Sequence, residues 1–163
     1  MYVTRDSAFG KGDLPRQLID REEVIDALYR FGLGQDLRDR ELFTSAFAAD
    51  AVLDFRPAAI KCGLDIPLME GRDTIVDLIL NPEIRIDTTH VVTNARVTLD
   101  GDTARLTAIV EAQHLPKDDH TRHALLKNLY SVDAVRDGSR WVMRRVHIDN
   151  VWYTGDPWVI TGK

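Results

Sequence analysis

One aspartate and two histidines in this chain stand in settings that suit proton-transfer chemistry. Asp36 follows a predicted helix, His90 ends a Thr-Thr-His sequence, and His114 lies in a Gln-His-Leu-Pro sequence. A neutral imidazole held by an aspartate can remove a proton near neutral pH, and the fixed anion stabilises the charge that the imidazole acquires. If the fold brings Asp36 and His90 together, the chain is predicted to be an enzyme with a histidine base.

The composition predicts one acidic globular domain. A chain of 163 residues, with 44% hydrophobic and 29% charged residues, can bury one sizeable core. The formal net charge is −5 and the basic residues are interspersed with acidic ones, which argues against a nucleic-acid partner and favours a small neutral or cationic ligand. Cys62 is the single cysteine, so no intrachain disulfide and no cysteine pair for zinc can form. We therefore expect a cytoplasmic setting and no metal or other cofactor.

The sequence predicts neither a secretion signal at the N-terminus nor a membrane span. The N-terminus is polar and lacks an apolar run of signal length, and no later stretch approaches the roughly 20 apolar residues that a membrane span needs. We expect neither secretion nor membrane anchoring. A flexible tail is predicted over residues 1–15, followed by a single domain over residues 16–163.

Capping signals and helical spacing predict three helices. The first is expected to begin at Asp20, which forms a capping box with Glu23, and to end near residues 35–37, so that Asp36 lies at its end. The second and third are expected over residues 40–48 and 73–80. A strand is predicted over residues 50–55, and the interval 56–71 is predicted to be a loop with at most a short strand.

The second half of the chain predicts two consecutive antiparallel hairpins. Each has an Asp-Gly turn, and the strands cover residues 88–99, 103–114, 125–135 and 140–152. Helices followed by a meander of long strands indicate an α+β fold, with the helices on one face of a curved antiparallel sheet.

Strand alternation predicts which polar side chains face the helices. His114 belongs to the apolar set of its strand, and Asn128 and Tyr130 belong to the apolar set of the next. All three are expected to point inward, where small alanines on the first of these strands leave space for a cavity. The direction of His90 stays open, because the two residues after it are both valines.

These segments together resemble the nuclear transport factor 2-like superfamily, in the SnoaL-like branch that includes scytalone dehydratase. The resemblance extends from about Asp20 to Asp156. It rests on the turn 35–39, the strand 53–56, the Thr-Thr-His sequence at 88–90, the segment 113–118, Asn128-Leu129, and Asp137 through Trp141, Asp149 and Trp152. The resemblance implies a cystatin-like roll, in which three N-terminal helices pack on a strongly curved, mainly antiparallel sheet that encloses a cone-shaped pocket.

The resemblance also implies roles for individual residues. In scytalone dehydratase, the positions similar to Asp36, His90 and His114 form the catalytic acid-base set, and the position similar to Asn128 is a substrate-binding amide. Hexachlorocyclohexane dehydrochlorinase resembles the chain at Asp36 and His90. The resemblance therefore implies catalytic roles for the first three residues and a binding role for the fourth.

The chain departs from scytalone dehydratase at two pocket positions. Gln35 and Phe55 stand where that enzyme has two tyrosines, so both phenol donors are absent. Gln35 and Phe55 are still expected to contact substrate. Tyr29, Tyr130 or Tyr153 can supply a replacement hydroxyl, and the residues alone do not choose among them.

Each candidate also has a purely structural interpretation. His90 can be a hydrogen-bonded strand histidine, and Asp36 can be a turn residue that bonds to backbone. His114 can simply close a hairpin, and Asn128 can be a satisfied buried amide. The histidines of the charged tip at residues 117–123 have no reason to converge on a metal.

The preferred hypothesis is a cofactor-independent enzyme, either a lyase of the dehydratase type or an isomerase. Its substrate is expected to be a small hydrophobic molecule, either cyclic or polyketide-like. His90 is the expected base, Asp36 orients it, and His114 and Asn128 act on a carbonyl or a departing hydroxyl. The alternative is a non-catalytic small-ligand-binding protein, or an accessory subunit of the same fold. A homodimer or homotrimer is expected through C-terminal aromatic residues, namely Trp152, Tyr153 and Trp158.

Overall fold

A computed structural model describes residues 12–162 of the chain. Four α-helices and six strands occur within this range, followed by a 3₁₀ helix. Their bounds are α1 (Leu14–Asp36), α2 (Arg40–Thr44), β1 (Phe47–Asp54), α3 (Arg56–Lys61), β2 (Met69–Glu70), α4 (Arg72–Ile79), β3 (Ile86–Asp100), β4 (Thr103–Pro116), β5 (Ala124–Asp137), β6 (Arg140–Gly155) and the 3₁₀ helix (Pro157–Thr161). The predicted α+β class is confirmed, with four α-helices rather than three.

The six strands form one curled sheet in the order β2-β1-β6-β5-β4-β3. Both predicted hairpins are present, and every neighbouring pair is antiparallel except β1 and β6, which run parallel and make the sheet mixed. The register shifts on β3 between Thr93 and Arg96, and β6 has an extra residue, Val151, opposite the step from Lys127 to Asn128 of β5. Such bulges bend a strand and increase its twist, which helps the sheet to curl around the helices.

Helix α1 begins at Leu14, six residues before the predicted start at Asp20. Asp13 caps the helix by accepting a hydrogen bond from the backbone N–H of Arg16 (3.2 Å). Asp20 lies buried within the helix and accepts a hydrogen bond from the indole N–H of Trp141 on β6 (3.2 Å). A long-range partner therefore satisfies the carboxylate that the local pattern assigned to a cap. Residues 1–11 of the predicted tail lie outside the described residues.

Two glycines inside α1 allow other elements to approach the helix closely. A Cβ on Gly34 would lie 2.6 Å from the backbone nitrogen of Phe43 at α2, and one on Gly32 would lie 3.0 Å from Cβ of His90 on β3. The sequence pattern predicted that these glycines weaken the helix. The helix nevertheless continues through both of them and ends at Asp36, as predicted.

Other predictions of local structure in the first half of the chain were also wrong. The predicted loop contains α3, because Pro57 occupies the first turn of a helix, where its fixed φ is favourable, rather than breaking one. Helix α2 ends at Thr44, and β1 starts at Phe47 instead of residue 50. Helix α4 begins at Arg72, directly after Gly71, and so starts one residue before the predicted range.

The main core lies between α1, α2 and the inner face of the sheet. It contains three packed aromatic rings, Phe31, Phe43 and Phe47, with ring centroids 5.3 to 5.9 Å apart.

Among the helices of residues 12–162, none has the length and apolar character that a membrane-spanning helix requires.

Candidate active site

Asp36 and His90 form a hydrogen-bonded pair at the junction of α1 and β3. Nδ1 of His90 lies 2.6 Å from Oδ1 of Asp36, although the two residues are 54 positions apart in sequence. The side chain of His90 is 3% exposed and that of Asp36 is 14% exposed. The fold thus supplies the proximity on which the histidine-base hypothesis depends.

Two further donors hold the Asp36 carboxylate. Thr88 donates its hydroxyl to Oδ1 (2.8 Å), and the backbone N–H of His90 donates to Oδ2 (2.8 Å). Burial alone would raise the pKa of Asp36, but the hydrogen bonds from His90 and Thr88 lower this pKa below its ordinary value. An ionised carboxylate in this position favours the Nδ1–H tautomer of His90 and leaves Nε2 as the lone-pair nitrogen.

The open question about the direction of His90 is resolved by its strand. Thr88 and His90 face inward on β3, whereas Val91 is 51% exposed. The imidazole packs edge-on against Phe31, with ring centroids 6.0 Å apart. Nε2 of His90 has no hydrogen-bond partner within residues 12–162, and the ring lines a cavity.

The cavity has a volume of about 230 Å³ and lies between the helices and the inner face of the sheet. Its wall is mostly apolar, with residues from α1, β1, the segment before β2, α4, the inner strands and the C-terminal 3₁₀ helix. None of the described lining residues is a lysine or an arginine. The polar side chains on the wall are Gln35, His90, His114, Asn128, Tyr130 and Thr161.

Most of the predicted site residues meet in this cavity. Gln35 and Phe55 line it, and so do the three inward-facing residues of β4 and β5, which are His114, Asn128 and Tyr130. Tyr29 does not line it: the residue is 48% exposed on another face of α1. Tyr29 precedes Phe31 by two residues, which turns it about 200° around the helix from the inward side. The predicted substrate contact at Tyr29 was therefore wrong.

His114 is a neutral, buried neighbour of His90. The two imidazole centroids are 5.9 Å apart, with the rings nearly perpendicular at 82°. Nδ1 of His114 is buried without a hydrogen-bond partner among the described residues. Burial, together with a smaller effect of the nearby His90, lowers the pKa of His114 from 6.5 to about 3. His114 is thus uncharged at neutral pH, and it can donate or accept a hydrogen bond but supplies no imidazolium.

The buried His114 should make folding stability depend on pH. Between its ordinary pKa of 6.5 and its folded pKa of about 3, the unfolded chain binds a proton at this residue that the folded chain does not, so stability falls as pH falls through this range. Between pH 7 and pH 5, we expect the free energy of unfolding to fall by about 2 kcal/mol more in the unsubstituted protein than in H114N, which has no histidine to protonate at this position. Urea unfolding at the two pH values measures this difference.

The matched control for this prediction is H120N. His120 lies at the exposed tip between β4 and β5, with Nε2 3.1 Å from Asp87. We expect H120N to follow the pH dependence of the unsubstituted protein closely. Parallel stability curves for H114N and the unsubstituted protein would show that His114 takes up its proton in the folded state.

Two residues that the sequence analysis did not select hold the site in place. Thr88 bonds to Asp36, and Asn150 on β6 donates its amide to Oδ1 of Asn128 (2.9 Å). The bond from Asn150 satisfies the oxygen of Asn128 and leaves the amide NH₂ group for a ligand. Strand alternation could have revealed Thr88, which is two residues from His90 and shares its face.

The histidines of the charged tip and the aromatic residues near the C-terminus do not line the cavity. Within residues 12–162, no group of three or more histidine, cysteine or acidic residues could hold a metal ion. Trp141 is fully buried, whereas Trp152, Tyr153 and Trp158 are 39 to 49% exposed.

Comparisons with known proteins place the chain in a family. The model of the SnoaL-like domain matches residues 16–147. The chain is 31% identical over 153 residues to terrestric acid biosynthesis cluster protein E of Penicillium crustosum, and the match covers 90% of this chain and 92% of that protein.

Solved structures show the same fold at lower identity. The Kfla4162 protein from Kribbella flavida has a TM-score of 0.78 and 21% identity, with 89% of this chain and 99% of that chain covered. Hexachlorocyclohexane dehydrochlorinase LinA-type3 from Novosphingobium barchaimii has a TM-score of 0.73 and 18% identity, with 88% and 94% covered. The domain match at residues 16–147 spans most of the chain. The chain therefore belongs to the SnoaL-like family.

Proposed function

We propose that this protein is a cofactor-independent dehydratase that removes a proton from carbon beside a carbonyl group in a small, mostly apolar molecule. The observation that carries the proposal is the His90–Asp36 pair: its imidazole lines a mostly apolar cavity, and its Nε2 has no partner among the described residues. The relative from Penicillium crustosum is named for a biosynthesis cluster, and the neighbouring structure from Novosphingobium barchaimii is a dehydrochlorinase. Both names are compatible with an elimination reaction on a small molecule.

The first step is proton transfer to His90. Nε2 takes the proton from the carbon next to the carbonyl, and the electron pair of the broken C–H bond forms the enolate. Asp36 keeps the Nδ1 hydrogen in place and stabilises the imidazolium that results. Because the carboxylate is held by two donors besides the imidazole ring, it does not need to reorient when the ring becomes charged.

The second step is loss of a hydroxyl group from the adjacent carbon. The enolate electrons form the carbon–carbon double bond, the C–O bond breaks, and the imidazolium of His90 returns its proton to give water. His114 cannot supply this proton as an imidazolium, because its low pKa keeps it neutral. We assign it, together with Asn128, to hydrogen bonding with the substrate.

The cavity favours an uncharged substrate. Its described wall carries no cationic side chain that could pair with a carboxylate or phosphate. Its volume of about 230 Å³ suits a compact molecule, and its apolar surface suits a hydrocarbon ring or short chain.

Proton abstraction can be tested without knowledge of the natural substrate. The protein would be incubated in deuterium oxide with a panel of cyclic β-hydroxy ketones. We expect protein-dependent incorporation of deuterium beside the carbonyl, measured by nuclear magnetic resonance, and formation of the enone, measured by ultraviolet absorbance. Retention of a ketone in native mass spectrometry with neither exchange nor water loss across the panel would favour the alternative of a binding protein.

A further inference from the structure

We propose that the hydroxyl of Tyr130 binds the carbonyl oxygen of the substrate and stabilises the enolate. This inference rests on the proposed function and identifies the substrate as a ketone or a similar carbonyl compound. Its oxygen would lie at Tyr130 when the acidic C–H group lies at His90. The chain would thereby replace the phenol donors that are missing at Gln35 and Phe55.

The position of Tyr130 supports this role. The residue is 2% exposed, lines the same cavity as His90, and packs edge-on against Phe31 with ring centroids 6.0 Å apart. His90 packs against the same phenylalanine ring, also at 6.0 Å. Phe31 therefore fixes both the proposed base and the proposed donor from one side of the cavity.

The hydroxyl of Tyr130 is available to a ligand. A buried tyrosine hydroxyl ordinarily finds a hydrogen-bond partner inside the protein. Within residues 12–162, the hydroxyl of Tyr130 has none. Its oxygen is also not among the fully buried side-chain atoms that lack a partner, and Tyr130 lines the cavity. A phenol placed only to fill the core would not need this hydroxyl, since phenylalanine has almost the same shape.

The electrostatics make Tyr130 a donor and not a base. Burial raises the pKa of Tyr130 well above its usual range, and the negative charge of Asp36 raises it further. The hydroxyl therefore keeps its hydrogen at neutral pH. A neutral donor aimed at an oxygen that becomes negative contributes more to the transition state than to the bound ketone.

Asn128 provides a second donor next to Tyr130. The two residues alternate on the inner face of β5, which separates their Cα atoms by about 7 Å. Asn150 donates a hydrogen bond to the side-chain oxygen of Asn128. The NH₂ group of Asn128 is therefore the group that can donate to the same substrate oxygen. In the enolate, the hydrogen bond from Tyr130 strengthens without transfer of its proton, and the proton from carbon remains on His90.

The test compares Y130F with the unsubstituted protein. We expect the rate of deuterium exchange to fall by about 10²- to 10³-fold, as for the loss of one oxyanion donor. The midpoint of urea unfolding should stay unchanged or rise, because the lost hydroxyl has no protein partner. Y29F is the matched control: it removes a hydroxyl outside the cavity and should keep the full exchange rate.

A binding measurement tests the same contact without turnover. The probe is 4-nitrophenol, whose ionised form has its own absorbance and carries an oxygen anion like that of an enolate. We expect Y130F to bind 4-nitrophenolate about 10- to 100-fold more weakly than the unsubstituted protein does, because a hydrogen bond to a charged oxygen is lost. Equal affinity in the two proteins would overturn the assignment of Tyr130.

The outcomes separate this inference from the proposed function. Exchange that is retained in Y130F but lost on replacement of His90 rejects Tyr130 and keeps the histidine base. Absence of exchange in the unsubstituted protein across the ketone panel rejects the proposed function, and with it the enolate role of Tyr130, even if the phenolate still binds.

Discussion

Replacement of His90 by glutamine is expected to lower the rate of deuterium exchange by about 10²- to 10⁴-fold, the contribution typical of a positioned general base. Glutamine has no group that accepts a proton near neutral pH, so abstraction from carbon would depend on water. The cavity should remain intact, because two of the three hydrogen bonds to Asp36 come from Thr88 and from the backbone of residue 90, not from the imidazole.

The control for this variant is H120Q, which changes an exposed histidine in the same way. We expect H120Q to retain full exchange. Binding of 4-nitrophenolate to H90Q reports whether the cavity has kept its shape. Undiminished exchange in H90Q with ligand binding preserved would remove His90 from the mechanism and leave the pair with Asp36 as a structural feature.

Replacement of Asp36 by asparagine is expected to lower the exchange rate by about 10²- to 10⁴-fold as well, while ketone binding is largely retained. The carboxylate holds the Nδ1 hydrogen of His90 and stabilises the imidazolium, and the asparagine amide carries no charge. Its NH₂ group can also turn towards Nδ1, which would favour the wrong tautomer of the base. Rates measured over a range of ketone concentrations separate kcat from KM, and the loss should appear in kcat.

D118N serves as the matched control, since Asp118 is an exposed aspartate of the tip between β4 and β5. Circular dichroism and urea unfolding report whether D36N is folded. A folded D36N that keeps the rate of the unsubstituted protein would mean that His90 works without its carboxylate.

Strand alternation allowed the sequence to predict half of the site. His114, Asn128 and Tyr130 lie on long, regular strands, where a period of two residues determines which side chains face inward. The contact between Asp36 and His90 was of another kind. It depends on the packing of α1 against β3 across 54 residues, which no local pattern encodes, and the family resemblance indicated it instead.

The errors in the predicted helices have the same physical origin. Asp20 satisfies the rules for a helix cap, but the structure gives its carboxylate to Trp141, a residue 121 positions away. Pro57 satisfies the rules for a loop, yet a proline fits the first turn of a helix equally well. Local signals of this type record what a residue can do, whereas distant contacts decide among the possibilities.

The proposed base and most of the cavity wall come from different parts of the chain. The pair of Asp36 and His90 is built by α1 and the edge strand β3, while much of the cavity wall comes from other parts of the chain, including Leu53, Ile66, Leu78 and Ile160. Changes in that wall can therefore alter which molecule is accepted without moving the reacting nitrogen. Specificity for a new molecule can therefore be engineered, or can evolve, by changing one wall residue at a time. Asp36 and His90 would keep their positions throughout.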